Sequence, residues 1–416
     1  MGKLKIVYPI CCGMDVHRDF LIACIASTNE QGVTGYQSRR FSTYTGGLRN
    51  LRDWLMANHC KDVCMESTGK YWFPIHNILE STCNVVVTHP KFVKAIKGKK
   101  TDKKDAQWIA DLFKHDLVRG SFIPPADIRQ LRDLCRYWCK LTAYMTGEKN
   151  RAQNCLTISN FKLDDVFSNV FGKSASAITA QLLEHPGETF DVAPFVDGRC
   201  KTPIPQIQEA VDGSFAPEQA EKLKIIRSHM ESLERLKLEV ESVLLGIAEK
   251  YLPQIELLLT VPGINEPMTA IRIIAEIGVD MSVFETAKHI TSWAGLTPQN
   301  AESAGKKKTT RIGKAGQYIK PLLVQVALSA SRSDKYPEMK GKHQALKKRR
   351  GGKKATIAIA RRILVAIYHM LRKNETYDPT LYTREEKPPQ SRQITHEQAL
   401  SLLAKMGYAL VEPALA

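Results

Sequence analysis

Two aspartates, Asp102 and Asp105, stand three residues apart in "KGKKTDKKDAQWIADLF" (97–113), where lysines give way to a helical pattern of Ala106, Ile109, Ala110 and Phe113. Thr101 suits a helix N-cap, and acids in a first turn complement the helix dipole by about 0.3–1 kcal/mol each. That local account covers the pair alone. Asp15 ends one apolar, strand-like run and Glu66 ends another, each an acid on an otherwise apolar element. This order of elements could converge the four acids. Clustered carboxylates repel and raise one another's pKa unless a cation joins them. Hard oxygen ligands suit Mg²⁺, and two ions about 3.5–4 Å apart can stabilise the attacking and leaving oxygens of a phosphoryl transfer. Lys99, Lys100, Lys103 and Lys104 then make sense as holders of a polyanion whose phosphate approaches those acids.

The charge of the whole chain agrees. Its formal net charge is +17 over 416 residues and its pI is about 9.3, which points to a polyanionic partner. Residues 299–354 hold sixteen Lys and Arg against three acids, Glu302, Asp334 and Glu338. A solvated face normally mixes both signs, so this concentration reads as a nucleic-acid surface. Lys306, Lys307, Lys308, Arg311 and Lys314 surround glycines. "KKRRGGKK" (347–354), with Lys347, Lys348, Arg349 and Arg350, leads into an amphipathic helix. Composition does not separate RNA from DNA here. Ser303, beside the lysines, reads as a loop residue, and its hydroxyl is a weak nucleophile until a base or metal activates it.

The elements that must position these residues follow from periodicity. Residues 5–14 form a nearly continuous apolar run, read as a buried strand, and "FLIACIAS" and "GYQSRRFST" follow as strands. Leu48, Leu51, Trp54 and Leu55 recur at helical spacing. "KDVCMES" is a strand, "WFPIHNILES" a short helix after Pro74, and "NVVVTH" a strand before the quoted helix. Three strands, helix, strand, helix, strand, helix argue a mixed sheet with packed helices over residues 1–125. Residues 126–255 read as long helices. Leu223, Ile226, Met230, Leu233, Leu236, Val240 and Leu244 form a stripe fitting a coiled coil or helical hairpin, a spacer and dimerisation region. Residues 185–206 look like a loop or insertion. Residues 256–375 form a mainly α-helical domain whose "LLLTVPGINEPMTAIRIIAEIG" resembles a helix-hairpin-helix start, and 376–416 read as a tail.

Other classes fall away. No run approaches the roughly 20 apolar residues of a membrane-spanning helix. Pro9 and Asp15 break the signal-peptide pattern, and Ile6 breaks the myristoylation pattern, so the chain reads as cytoplasmic. All ten cysteines fall in the first 200 residues without a CxxC pair, which argues buried reduced thiols rather than zinc.

"GMDVHRD", "MESTGKYW" and "KGKKTDKKDA" resemble the DEDD domain, with a RuvC-like (RNase H-like) fold, of the IS110 family of insertion-sequence transposases. "VPGINEPMTA" and "WAGLTPQNAESAGKKKTTRIGKAGQYIKPLLVQVA" are similar to that family's second domain. The resemblance covers roughly residues 5–125 and 255–372. It implies that Asp15, Glu66, Asp102 and Asp105 are the DEDD tetrad binding Mg²⁺, and that Ser303 is a nucleophile forming a phosphoserine–DNA link. It also implies a site-specific DNA recombinase working with a non-coding bridge RNA, as a tetramer whose active sites draw on two subunits. The rival readings are an RNase H-like nuclease using metal and water alone, and a non-catalytic nucleic-acid-binding protein.

Overall fold

The structure, a computed structural model, describes residues 4–93, 101–298, 301–303, 306–309 and 311–382, with the backbone alone described at 301–303, 306–309 and 381–382. The chain divides into two compact units, Met1–Pro125 and Ala126–Ala416.

The first unit is built on a five-stranded sheet of order β3-β2-β1-β4-β5. Its strands are β1 (Ile10–Val16), β2 (Phe20–Thr28), β3 (Thr34–Ser42), β4 (Asp62–Glu66) and β5 (Asn84–Thr88). The β1–β2 and β2–β3 pairs are antiparallel, while β1–β4 and β4–β5 are parallel. This is the RNase H-like arrangement that the resemblance implies. Alternation along β1 sorts its side chains between two layers. Cys12, Met14 and Val16 enter a core with α1 (Thr45–Ala57) and α2 (Trp72–Leu79), while Cys11 enters one with α4 (Asp102–Lys114). A single turn, α3 (Pro90–Val93), precedes α4. The strand begins at Ile10 rather than at residue 5. Upstream, the Val7 and Tyr8 amides both donate to the Lys114 carbonyl at the end of α4, so those residues join the helix and not the ladder.

The contact of α4 with β1 is unusually close. A Cβ on Gly13 would lie 2.3 Å from both the Ala106 oxygen and the Ala110 nitrogen. Gly13, Ala106 and Ala110 are therefore small because two backbones meet there. Cys11 Sγ reaches the Ala110 carbonyl at 3.6 Å along the same line.

In the second unit, α5 (Ala126–Ile158) and α9 (Pro217–Ala248) pack antiparallel. Trp138 Nε1 donates to Glu241 at 2.7 Å, His229 Nδ1 lies 3.1 Å from Glu148, and Leu141 and Met145 pack on Leu233. The α9 stripe is thus covered by α5 of the same chain, as a helical hairpin. Leu236, which the heptad reading places in the seam, is 38% exposed. Between the two helices, α6 (Leu163–Val166), α7 (Lys173–Glu184) and α8 (Ile204–Ala210) enclose a separate small core around Phe161, Ile178 and Ile207.

Helices α10 (Leu252–Leu259), α11 (Pro267–Ile277), α12 (Ala287–Trp293), α13 (Ile319–Arg332), α14 (Pro337–Arg350) and α15 (Gly352–Lys373) complete the fold. A two-stranded hairpin of β6 (Ala301–Ser303) and β7 (Lys306–Thr309) precedes α13. The α10–α11 turn is buried at Val261 and Ile264. Gly263 there, at φ 86°, sits so close to α13 that a Cβ would lie 2.3 Å from the Val326 oxygen. That turn packs into the core from Val261 to Ile264, with Gly263 facing α13. Most of the expected tail, residues 383–416, lies outside the described residues. Among the described residues no helix is long and apolar enough to cross a membrane, and all ten cysteines are free, eight of them buried.

The Gly13 contact carries a direct expectation. Gly13→Ala should destabilise the first unit by about 1–3 kcal/mol, the usual range for overpacking a tight contact. Hydrogen exchange of β1 and α4 amides reads this. Unchanged protection of both segments would mean that α4 is not seated on β1.

Candidate metal centre

Asp15 lies next to last in β1, on the layer that faces α4, two residues beyond Gly13. The parallel register pairs Met14 with Met65, so Asp15 and Glu66 occupy the next positions on neighbouring strands. Helix α4 enters from the same end. Thr101 caps it, its hydroxyl accepting from the Lys104 amide at 3.3 Å, and Asp102 and Asp105 fill its first turn. Because α4 runs back along β1 over Gly13, its N-terminal turn arrives at the Asp15 end of the strand.

The structure adds a residue that the sequence reading passed over. His17 Nε2 lies 3.2 Å from Asp15 Oδ2 and 3.7 Å from Asp102 Oδ1. That nitrogen is buried and has no well-directed hydrogen bond. The ring is held by Phe20, 4.7 Å away between centroids, which in turn lies under Arg40. Ligand atoms of Asp15, His17 and Asp102 all lie within 4.8 Å of one another. The signal was present in "GMDVHRD". Residues two apart on an extended strand share a face, so an Asp-x-His pair at a strand end can offer two donors to one point.

The other two acids are placed differently. Asp105 is half-buried and near enough for its charge to act on Asp15. Glu66 is half-buried on the adjacent strand, and its Oε1 accepts from Thr68 Oγ1 at 3.3 Å. Neither belongs to the three-residue group.

Burial holds the Asp15 carboxyl above the usual carboxylate range. The charges of Asp102 and Asp105 push in the same direction, against an opposing pull from His17. Two carboxylates and an imidazole nitrogen brought together at one point form a donor set that a divalent cation fits.

Among the cations, Lys103 and Lys104 are exposed in the first turn of α4, while Lys99 and Lys100 lie outside the described residues. Ser303 ends β6 directly opposite Lys306 in the hairpin register, and Lys307 pairs with Glu302. Lys308 is also in β7, and Arg311 and Lys314 are exposed in the segment leading to α13. Lys347, Lys348, Arg349 and Arg350 are exposed in the last turn of α14, where cations also complement the helix dipole. The hairpin itself was missed, because its strands are short and polar and carry no apolar alternation.

Comparison with known proteins adds family information. Residues 12–160 match a DEDD transposase model of IS110 type, and residues 255–344 match the model "Transposase IS116/IS110/IS902 family". Together these span more than half of the chain. The pilin gene-inverting proteins of Moraxella bovis and Moraxella lacunata are each 33% identical to it over 137 residues, 30% of this chain and 39% of the relative. The chain thus matches about two-fifths of the length of those relatives.

The raised Asp15 pKa sets a pH dependence. Protonated Asp15 relieves the charge cluster, so without metal its contribution to stability is present at low pH and is lost as pH rises through the raised value. A cation at the cluster needs the ionised form. Millimolar Mg²⁺ or Mn²⁺ should therefore raise the melting temperature at neutral pH, and the increment should shrink as pH falls through that value. Asp15→Asn should abolish the increment. An increment that persists in Asp15→Asn would place the ion elsewhere.

Proposed function

Since this chain belongs to the IS110 family of transposases, we propose that it is the site-specific DNA recombinase of an insertion element. In this reading it is guided by a bridge non-coding RNA and cuts and rejoins strands through a serine–DNA intermediate. The observation that carries the reading is the meeting of Asp15, His17 and Asp102, with Asp105 alongside, where the first turn of α4 reaches the end of β1. Residues 256–375 are the serine-bearing domain. The RNA and a tetrameric assembly are supported by the family resemblance, and DNA and RNA alike by the net charge of +17.

The chemistry assigns a role to each group. Asp15, Asp102, Asp105 and Glu66 would hold a divalent ion, with His17 as an additional donor. When bound, that ion, Mg²⁺ by the oxygen-rich set, supplies Lewis-acid stabilisation of charge on a phosphate. Lys306, Lys307 and Lys308 neutralise the DNA backbone beside Ser303. The Ser303 hydroxyl oxygen bonds to phosphorus while the bond from phosphorus to one sugar oxygen breaks. The proton lost by the serine balances the one gained by the departing sugar hydroxyl. The phosphoserine ester keeps the strand end attached, and attack by another strand's sugar hydroxyl reverses the step and frees the serine. No water is consumed, so a broken end is passed on and not hydrolysed. An RNase H-like nuclease acting with metal and water would leave no such adduct.

Ser303→Ala should eliminate both strand exchange and the covalent adduct on denaturing gels, while DNA and RNA binding persist. The same adduct in wild type and Ser303→Ala would remove the serine from this role. Asp102→Asn and Asp105→Asn should each abolish recombination with the fold retained. Acids serving only the helix dipole would cost at most about 1 kcal/mol of stability and leave activity intact. Reversing Lys306, Lys307 and Lys308 to Glu should weaken DNA binding and flatten its salt dependence, because each lost phosphate contact removes about 0.9 from the log–log slope. An unchanged slope would mean that these lysines do not meet phosphate.

A further inference from the structure

A cavity of about 790 Å³ opens among α13, α14, α15 and the segment after β7. Its floor is apolar: Ile312, Val324, Leu328 and Ile357 line it, each half-buried. Arg332, Lys347 and Lys353 stand exposed around it, and no acid is among the described residues that line it. The exposed Gln344 and the half-buried His343, whose Nε2 is 3.3 Å from Thr356 Oγ1, also line it.

We propose that this cavity receives a nucleobase unstacked from a DNA strand. Unstacked bases are held between apolar or aromatic side chains and read at their edges by polar groups, while cations hold the flanking phosphates. The apolar floor, the amide and imidazole that also line the cavity, and the three exposed cations around it supply these groups. A strand fits better than a free nucleotide. The exposed charge does not stop at the rim but continues through Lys348, Arg349, Arg350 and Lys354, more cation than one phosphate group needs. The floor is also tied to the hairpin that bears Ser303. Ile312 bridges to Pro298, and these two residues bracket β6 and β7 in the chain. The proposal rests on the reading of this chain as a DNA-handling protein, but not on its serine chemistry.

The test uses the full-length protein and fluorescence anisotropy. One probe is a short single-stranded DNA of mixed sequence, and the other is the same strand with abasic nucleotides at its centre. Both carry the same phosphates. Wild type should bind the intact strand about tenfold more tightly, a ratio within the usual worth of one stacked base. Leu328→Trp, which crowds the apolar floor of the cavity, should bind both strands equally with an unchanged salt slope, since the phosphate contacts remain. A strand carrying 5-iodouracil should photocrosslink in wild type to peptides holding Val324, Leu328 or Ile357, which guards against a variant that fails to fold. Equal wild-type binding of intact and abasic strands, or crosslinks confined to peptides outside α13–α15, overturns the proposal. So does an RNA of the same sequence that binds tenfold more tightly and loses this advantage in Leu328→Trp, which would assign the cavity to RNA. Protein that recombines DNA without discriminating the abasic strand removes the cavity assignment alone. Protein that discriminates but forms no adduct removes the serine assignment alone.

Discussion

The backbone contact between Gly13 and α4 is the constraint on which the acid cluster of the first unit depends. With ordinary side chains between them, a helix and a sheet lie roughly 10 Å apart, which leaves a first-turn carboxylate short of the strand. Here no side chain intervenes, because Gly13 would place its Cβ 2.3 Å from the Ala106 oxygen. The far end is fixed independently, by the Val7 and Tyr8 amides on the Lys114 carbonyl. A helix tied at its middle and its C-terminus has little freedom left at its N-terminus. Asp102 and Asp105 therefore meet Asp15 through backbone geometry, not through attractions of their own.

Those attractions would not suffice. The N-terminal end of α4 offers each acid about 0.3–1 kcal/mol. Two unit charges 4 Å apart near a protein surface repel by about 4 kcal/mol at an effective dielectric constant of about 20. The exposed Lys103 and Lys104 are screened by solvent and soften this only in part. The fold thus holds like charges together at a net cost, which adds to the burial that raises the Asp15 carboxyl. Such a cost is stable only where packing elsewhere exceeds it, and here the layers on both faces of β1 supply that packing. A divalent cation turns the same geometry from repulsive to attractive.

What could be read from the sequence follows from range. The sheet was legible because β2, β4 and β5 are short apolar or β-branched runs bounded by turns, and the α4 start because Thr101 caps it locally. Periodicity reported the α9 stripe correctly but could not name its partner, and that partner is α5 of the same chain. The "VPGI" turn looked like a phosphate clamp because the sequence shows a glycine's freedom but not what approaches it. What approaches Gly263 is the Val326 carbonyl of α13. His17 escaped because a histidine two residues from an acid is unremarkable until α4 supplies a third ligand from 85 positions away along the chain.

The acids and the serine are supported in different ways. Asp15 sits in a strand with neighbours on both sides, inside a sheet covered on two faces. Ser303 sits in a pair of strands of three and four residues, and an isolated two-stranded hairpin is marginal in water. Its place therefore depends on its base, where Pro298 and Ile312 bridge, and Ile312 also lines the cavity beside α13. Whatever fills that cavity touches the residue that anchors the hairpin. The acid cluster is preorganised by a core, whereas the backbone at Ser303 rests on the Pro298–Ile312 bridge at the base of its hairpin.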